Sequence, residues 1–281
     1  MKVKVAKTAG FCFGVKRAVD LVYTESEQSH QVYTYGPIIH NEEVVKDLES
    51  RGVIVINTQD ELAKLETGTV IIRSHGVPKR IYDILTEKNI KIVDATCPFV
   101  RKIHKIVEEN SAQGKDIIII GNDAHPEVEG IKGWCQNKVY VVKSVKEVND
   151  LTINNDKICV VSQTTFNYIQ YDEIINVIKH KFKDAYIVKT ICNATHERQE
   201  EAIRLAKESD IMIVIGGKSS SNTQKLYNIC RNECSNTFYI QKSSDLDLEL
   251  DKIDSDTSIG ITAGASTPNN IIKEVFDQCQ K

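Results

Sequence analysis

Three cysteines stand at equivalent places of an internal repeat in this 281-residue chain. In each repeat a glycine follows the cysteine by 24 residues, and a polar residue follows it by 28 residues. These sets are Cys12, Gly36 and His40; Cys97, Gly121 and His125; and Cys192, Gly216 and Ser220. Each cysteine also follows a short apolar run, at Val3–Val5, Ile90–Val93 and Tyr186–Val188. The repeat predicts three related units that carry reactive side chains at matching strand ends.

Thiolates from three related loops suit metal chemistry. They match three corners of a [4Fe–4S] cube, which leaves one iron without a protein ligand. An iron with an open position can bind and activate a substrate. Zinc held by the same three cysteines is the alternative, and the wide spacing and polar loops make it second. The other five cysteines lack the symmetry and are predicted to be structural: Cys135, Cys159, Cys230, Cys234 and Cys279.

Other polar groups follow the predicted strands of the same units. The first two units place histidines there, and the third places hydroxyls and an amide. These residues are His40, His75, His125, Ser220, Ser221, Asn222 and Ser266. Imidazoles, hydroxyls and an amide form a dense donor set for a diphosphate, without the flexible lysines of a steering surface. Glycines at Gly216, Gly217 and Gly264 would let main-chain N–H groups approach the diphosphate too.

Two further residues suit proton transfer. Glu127 follows His125-Pro126, where a carboxyl shielded from water could act as a general acid. The alternative is a solvated glutamate at the start of a helix. Thr164 follows the apolar strand Cys159–Val161 and could orient or relay the proton, or only cap a strand end.

Apolar runs alternate with helical patterns along the whole chain, which predicts an α/β fold with parallel strands and right-handed crossovers. The predicted units are residues 13–97, 98–192 and 193–281. The third unit runs out of chain before its last strand. We therefore expect the N-terminal strand, within residues 1–12, to complete the sheet that contains Ile211–Ile215.

The bulk composition narrows the function classes. Hydrophobic residues make up 41% of the chain and charged residues 27%, as in ordinary globular proteins. The formal charge of −3 gives no sign of a nucleic-acid surface. The apolar runs are too short to span a membrane, and no basic-then-apolar leader is evident. We expect a cytoplasmic protein that binds neither nucleic acid nor membrane.

Eight motifs, taken in order along the chain, resemble those of the 4-hydroxy-3-methylbut-2-enyl diphosphate reductases. They are Gly10-Phe11-Cys12-Phe13-Gly14-Val15, Arg73-Ser74-His75-Gly76-Val77-Pro78, Asp94-Ala95-Thr96-Cys97-Pro98, His125-Pro126-Glu127, Gln163-Thr164-Thr165, Ile191-Cys192-Asn193-Ala194-Thr195, Gly216-Gly217 with Ser220-Ser221-Asn222, and Ala263-Gly264-Ala265-Ser266-Thr267-Pro268. The resemblance implies a trefoil of three α/β units around a central [4Fe–4S] cluster held by Cys12, Cys97 and Cys192. It also implies diphosphate binding by the histidines, serines and Asn222 named above, with Thr164 and Glu127 near the substrate hydroxyl.

The function implied by this resemblance is the last step of the non-mevalonate isoprenoid pathway. An allylic hydroxyl would be removed reductively, giving isopentenyl and dimethylallyl diphosphate, with the open iron binding the substrate oxygen. Reduced ferredoxin or flavodoxin would supply the electrons. Two alternatives remain open: an iron–sulfur hydro-lyase, which would need no electron donor, and a non-enzymatic iron or redox sensor, which would need no diphosphate site.

Overall fold

The computed structural model describes residues 2–28, 31–246 and 254–280. Twelve strands lie within these ranges: β1 (Lys2–Val5), β2 (Val32–Tyr35), β3 (Val53–Ile56), β4 (Thr69–Ile72), β5 (Lys91–Asp94), β6 (Asp116–Ile120), β7 (Val139–Val142), β8 (Ile158–Ser162), β9 (Tyr186–Ile187), β10 (Ile211–Ile215), β11 (Thr237–Ile240) and β12 (Ser258–Ala263). The same ranges contain eleven α-helices: α1 (Phe13–Gln28), α2 (Glu42–Ser50), α3 (Gln59–Ala63), α4 (Lys79–Glu87), α5 (Pro98–Ala112), α6 (Pro126–Lys132), α7 (Val145–Asp150), α8 (Tyr168–Lys181), α9 (Asn193–Lys207), α10 (Ser221–Glu233) and α11 (Asn269–Cys279).

The strands form three parallel sheets of four strands each. The first sheet has the order β3-β2-β4-β5, the second β7-β6-β8-β9 and the third β1-β12-β10-β11. Every neighbouring pair is parallel. The predicted α/β class with small parallel sheets is therefore confirmed.

The N-terminal strand completes the third sheet. Val3 lies opposite Ile259 and Val5 opposite Ile261, so β1 pairs with β12, which in turn pairs with β10. The prediction that the N-terminal strand joins the sheet of Ile211–Ile215 is confirmed.

The chain divides into two compact units. One consists of Met1–Lys16, His40–Lys46 and Asn193–Lys281 and contains the third sheet; we call it the third-sheet unit. The other consists of Arg17–Ile39 and Asp47–Cys192 and contains the first and second sheets; we call it the two-sheet unit. The sequence-predicted boundaries at residues 13–97, 98–192 and 193–281 remain a prediction.

Central strands are buried on both faces, which explains their uninterrupted apolar sequences. In β6, Ile118 and Ile120 pack into one apolar cluster, whereas Ile117 and Ile119 pack into another on the opposite face. In β10 alternate residues likewise enter two separate clusters. Because these strands are buried on both faces, the loops at their carboxyl ends have little positional freedom. Among the residues that the structure describes, no helix combines the length and apolar character needed to cross a membrane.

We predict that deleting residues 2–7 destabilises the third-sheet unit, because β12 loses its neighbour and the main-chain N–H of Lys7 no longer binds Glu201, at 2.9 Å. Hydrogen exchange should accelerate at the amides of β12 and remain slow in β6. The matched control is Lys4→Ala, which removes the exposed Lys4–Glu208 ion pair and should leave the exchange in β12 at the wild-type rate. Unchanged exchange in β12 after the deletion would contradict this role of β1.

A second prediction concerns His104 on α5, which is 2% exposed and stacks on Trp134 with 5.2 Å between ring centroids. Burial lowers its pKa from 6.5 to about 4, since the charged form is disfavoured away from water. The unfolded chain therefore takes up this proton first, and the free energy of unfolding falls as pH drops from 6.5 toward 4. His104→Gln should lose less stability over that range, by up to about 3 kcal/mol. Chemical denaturation at several pH values measures the free energy of unfolding of both proteins. If that free energy changed with pH identically in both, the prediction would be refuted.

Candidate active site

Each symmetry-related cysteine lies between the end of a strand and the start of a long helix. Cys12 follows β1 and precedes α1, Cys97 follows β5 and precedes α5, and Cys192 follows β9 and precedes α9. The carbonyl oxygens of Cys12 and Cys97 accept the first helical hydrogen bonds, each at 2.9 Å. All three thiols are half-buried. A helix N-terminus stabilises a thiolate, the form that binds metals.

The remaining cysteines differ in their surroundings. Cys159, Cys230, Cys234 and Cys279 are buried. Burial raises the pKa of Cys159 to about 11 and that of Cys230 to about 12, so these thiols stay protonated near neutral pH. Cys135 is half-buried, and burial raises its pKa as well. Four of the other five cysteines are thus more deeply buried than the three repeated ones.

Glu127 and Thr164 form a buried pair in the two-sheet unit. Glu127 is in the first turn of α6 and is only 2% exposed. The main-chain N–H of Thr164 donates to Glu127 Oε1 at 2.6 Å, and Thr164 Oγ1 donates to Glu127 Oε2 at 2.8 Å. Glu127 therefore does start a helix, as one of the two sequence interpretations held, but water does not surround it.

This geometry gives the two carboxylate oxygens different roles. An amide N–H can only donate, so Oε1 of Glu127 remains an acceptor. A proton on the carboxyl group would sit on Oε2, directed at the Thr164 hydroxyl. The hydroxyl could accept that proton and pass on its own, so the pair can relay a proton over one hydrogen bond.

Two of the predicted histidines contact each other, and one of them, His125, lies two residues before Glu127 in the sequence. His125 is the N-cap of α6, and its Nδ1 accepts a hydrogen bond from the Glu127 N–H at 3.1 Å. In the neutral ring the proton is therefore on Nε2. The His75 ring meets the His125 ring edge to face, with 5.6 Å between centroids. The loops after β4 and β6 thus bring two imidazoles together.

The third-sheet unit holds the other predicted polar residues. Ser220 is the N-cap of α10, where its hydroxyl accepts from the Thr223 N–H at 3.3 Å; Ser221 and Asn222 follow in the first turn. Ser266 Oγ donates to the His40 carbonyl oxygen at 3.1 Å. Buried Asn222 Nδ2 has no hydrogen-bond partner among the described residues. An unpaired buried donor is costly unless a ligand supplies an acceptor, so this helix start suits an anion.

Glycines around α10 serve close packing. The sequence suggested that Gly216, Gly217 and Gly264 let main-chain N–H groups approach a ligand. A Cβ on Gly216 would lie 2.6 Å from Thr223 Oγ1, and one on Gly217 would lie 2.7 Å from the His40 carbonyl oxygen. A Cβ on Gly264 would also meet Thr223. The missing side chains let these loops contact α10 and the loop of His40 directly.

Fold and site together define an α/β protein of three parallel sheets, with thiols at helix starts and a buried carboxyl–hydroxyl pair at strand ends. The profile of the family described as LytB protein matches residues 3–280. The chain belongs to this family.

Curated relatives carry the name 4-hydroxy-3-methylbut-2-enyl diphosphate reductase. The protein of that name from Caldanaerobacter subterraneus subsp. tengcongensis is 49% identical over 281 residues, which cover 99% of this chain and 96% of the relative. The Clostridioides difficile protein is 47% identical over 277 residues, which cover 98% of each. The family resemblance read from the eight motifs is confirmed.

Solved structures agree with these relatives. The E-1-hydroxy-2-methyl-but-2-enyl-4-diphosphate reductase of Plasmodium falciparum matches with a TM-score of 0.93 and 29% identity, over 100% of this chain and 88% of that one. A second structure is of (E)-4-hydroxy-3-methyl-but-2-enyl diphosphate reductase, described as the terminal enzyme of the non-mevalonate pathway. It matches with a TM-score of 0.72 and 39% identity, over 100% of this chain and 99% of that one.

The contrast between the cysteines gives a direct prediction. Anaerobically purified protein should contain about four irons per chain. Cys97→Ser should lose both the iron and the activity, because a serine hydroxyl is a poor substitute for a thiolate ligand. Cys230→Ser, at a buried apolar position, is the matched control and should keep both. Iron analysis and absorbance spectra measure the iron content of each protein. Wild-type iron content and activity in Cys97→Ser would contradict the prediction that Cys97 is a metal ligand.

Proposed function

We propose that this chain catalyses the reductive dehydroxylation of 4-hydroxy-3-methylbut-2-enyl diphosphate, giving isopentenyl and dimethylallyl diphosphate. Relatives with the corresponding name align over nearly the whole chain. The observation that carries the proposal at the level of residues is the buried Glu127–Thr164 pair, since removal of a hydroxyl group as water needs a proton donor.

The proposed cofactor is a [4Fe–4S] cluster held by Cys12, Cys97 and Cys192. The donor set fits this group, because these three thiols are half-buried at helix starts, whereas burial raises the pKa values of Cys159 and Cys230 and keeps them protonated. When bound, the cluster supplies the electrons of the reduction and Lewis-acid activation of the substrate oxygen. Reduced ferredoxin or flavodoxin is the proposed electron donor.

The balanced reaction defines what the side chains must do. Breaking the allylic carbon–oxygen bond in this way consumes two electrons and two protons and releases one water. One proton joins the departing oxygen and the other joins carbon. Glu127 is the proposed source of the first proton, delivered through the Thr164 hydroxyl, because a hydroxyl alone is too weak an acid to be the ultimate source.

The diphosphate is proposed to bind the remaining polar set. In the third-sheet unit this set includes the first turn of α10, where N–H groups and the Asn222 amide can donate to phosphate oxygens. In the two-sheet unit the imidazoles of His75 and His125 supply further donors. The full proposed set is His40, His75, His125, Ser220, Ser221, Asn222 and Ser266.

Glu127→Gln tests the proton donor. An amide keeps the shape of the side chain but cannot deliver a carboxyl proton, so turnover should fall by about 10²-fold or more, the scale expected when a positioned general acid is lost. Iron content and substrate affinity should remain at wild-type levels. The measurement is anaerobic turnover with the diphosphate substrate and reduced methyl viologen.

Glu129→Gln is the matched control, since Glu129 lies on the same helix with its side chain 60% exposed. It should retain near-wild-type turnover. Thr164→Ser should keep most of the activity because a hydroxyl remains, whereas Thr164→Val should lose it. Near-normal turnover in an iron-replete Glu127→Gln protein would eliminate Glu127 as the donor.

A further inference from the structure

An arginine on the helix after Cys12 binds the loop that leads to Cys97. Arg17 lies on α1, five residues after Cys12. Its guanidinium donates to the main-chain carbonyl oxygen of Asp94 at 3.0 Å and to that of Thr96 at 3.2 Å. Thr96 is the residue immediately before Cys97. A side chain on the helix that follows one cysteine thus holds the backbone segment that leads to another cysteine.

A second arginine makes the same kind of contact in the third-sheet unit. Arg198 lies on α9, six residues after Cys192, and is 3% exposed. It donates to the Gly10 carbonyl oxygen at 2.9 Å and to the Ala263 carbonyl oxygen at 2.6 Å. Gly10 lies two residues before Cys12. The helix that follows Cys192 therefore fixes the loop that leads to Cys12.

The chemistry of a guanidinium explains why arginine suits both places. Its donors point in fixed directions within one plane, so a single side chain can hold two carbonyl oxygens at once. Hydrogen bonds from a charged donor are also stronger than those between neutral groups. Each arginine binds two main-chain carbonyl oxygens, one of which lies within two residues of a cysteine.

The loop before Cys97 has further supports, which define what Arg17 adds. The Cys97 N–H donates to the Ser74 carbonyl oxygen at 3.0 Å, and the Thr96 N–H donates to the Asp94 carboxylate at 2.9 Å. These bonds hold the N–H groups of the loop. Arg17 holds its carbonyl oxygens, so the segment is fixed from both sides.

We propose that Arg17 and Arg198 are positioning residues that hold the loops of Cys97 and Cys12 in the conformation that keeps an iron–sulfur cluster bound. The proposal rests on the proposed function, because it assumes that these cysteines hold the cluster. A ligand that is already in place loses little freedom on binding, so a fixed loop releases its metal more slowly.

The test measures iron release rather than activity. Cluster-loaded protein is mixed anaerobically with a ferrous chelator, and the loss of cluster absorbance is followed in time. Arg17→Met removes the donors but keeps a long side chain, and it should release iron about tenfold faster than wild type, the scale of one lost charge-assisted hydrogen bond. Arg17→Lys keeps the charge but loses the planar fork of donors, and its rate of iron release should fall between those of wild type and Arg17→Met.

Arg101→Met is the matched control. Arg101 lies near the same loop, but its side chain is 53% exposed and binds the Asp94 carboxylate rather than a carbonyl oxygen. It should release iron within about twofold of wild type, as expected for an exposed ion pair. For the second arginine, Arg198→Lys is compared with Arg204→Lys, since Arg204 lies on the same helix with its side chain 69% exposed.

Hydrogen exchange separates this proposal from the proposed function. The Cys97 amide should exchange faster in Arg17→Met than in wild type, while amides of β6 stay protected. Wild-type release and wild-type exchange in Arg17→Met would overturn the proposal, and so would equal release by Arg17→Met and Arg101→Met. If Arg17→Met does not fold, equal release by Arg17→Lys and wild type overturns it. If wild-type protein binds no iron, the proposed function fails and the cluster-holding role fails with it, whereas exchange at Cys97 still reports the loop contact.

Discussion

The placement of each repeated cysteine between a strand end and a helix start is the constraint on which the rest of the structure depends. An edge strand of a parallel sheet fixes where the loop begins, and the following helix fixes where the loop ends. Only a few residues separate the two, so the thiol has little positional freedom. The repeat uses this arrangement three times, so each thiol lies next to the start of a long helix.

The buried Glu127–Thr164 pair joins residues from two loops that follow neighbouring strands. Strand β6 ends before α6, which carries Glu127, and its neighbour β8 ends just before Thr164. Neighbouring parallel strands end at the same edge of a sheet, so a carboxyl and a hydroxyl that are 37 residues apart meet at hydrogen-bond distance. The short helix α6 then supplies His125 as its N-cap. Two adjacent strand ends thus hold the proposed proton donor, its proposed relay and an imidazole.

Much of the fold could be predicted from the sequence because buried parallel strands have a strong signature. The apolar run Ile211–Ile215 gave the exact bounds of β10, and the absence of a final strand in the third repeat indicated where β1 pairs. Helix α6 was foreseen only in one of the two interpretations of Glu127, because seven residues are too few to show a period. Its one signal is Pro126 at the first helical position.

Contacts between distant segments were beyond sequence reasoning. The burial of Glu127 depends on Thr164, which belongs to another strand loop. Arg17 and Arg198 lie on helices, where an arginine is usually solvated, so only the structure shows that both bind carbonyl oxygens. Gly216 was interpreted as room for a ligand, whereas its Cβ position is next to Thr223. In each case the sequence names the residue, but the partner is set by tertiary packing.

The central claim, a reduction that removes a hydroxyl group, is tested most directly by counting electrons. Cluster-loaded wild-type protein is given a known amount of the diphosphate substrate and reduced methyl viologen without oxygen. Viologen oxidation is followed by absorbance, and the products are separated by chromatography. The account predicts two electrons consumed for each isopentenyl or dimethylallyl diphosphate formed. Conversion of the substrate without viologen oxidation would indicate a hydro-lyase instead, and the absence of any conversion by iron-replete protein would contradict the function outright.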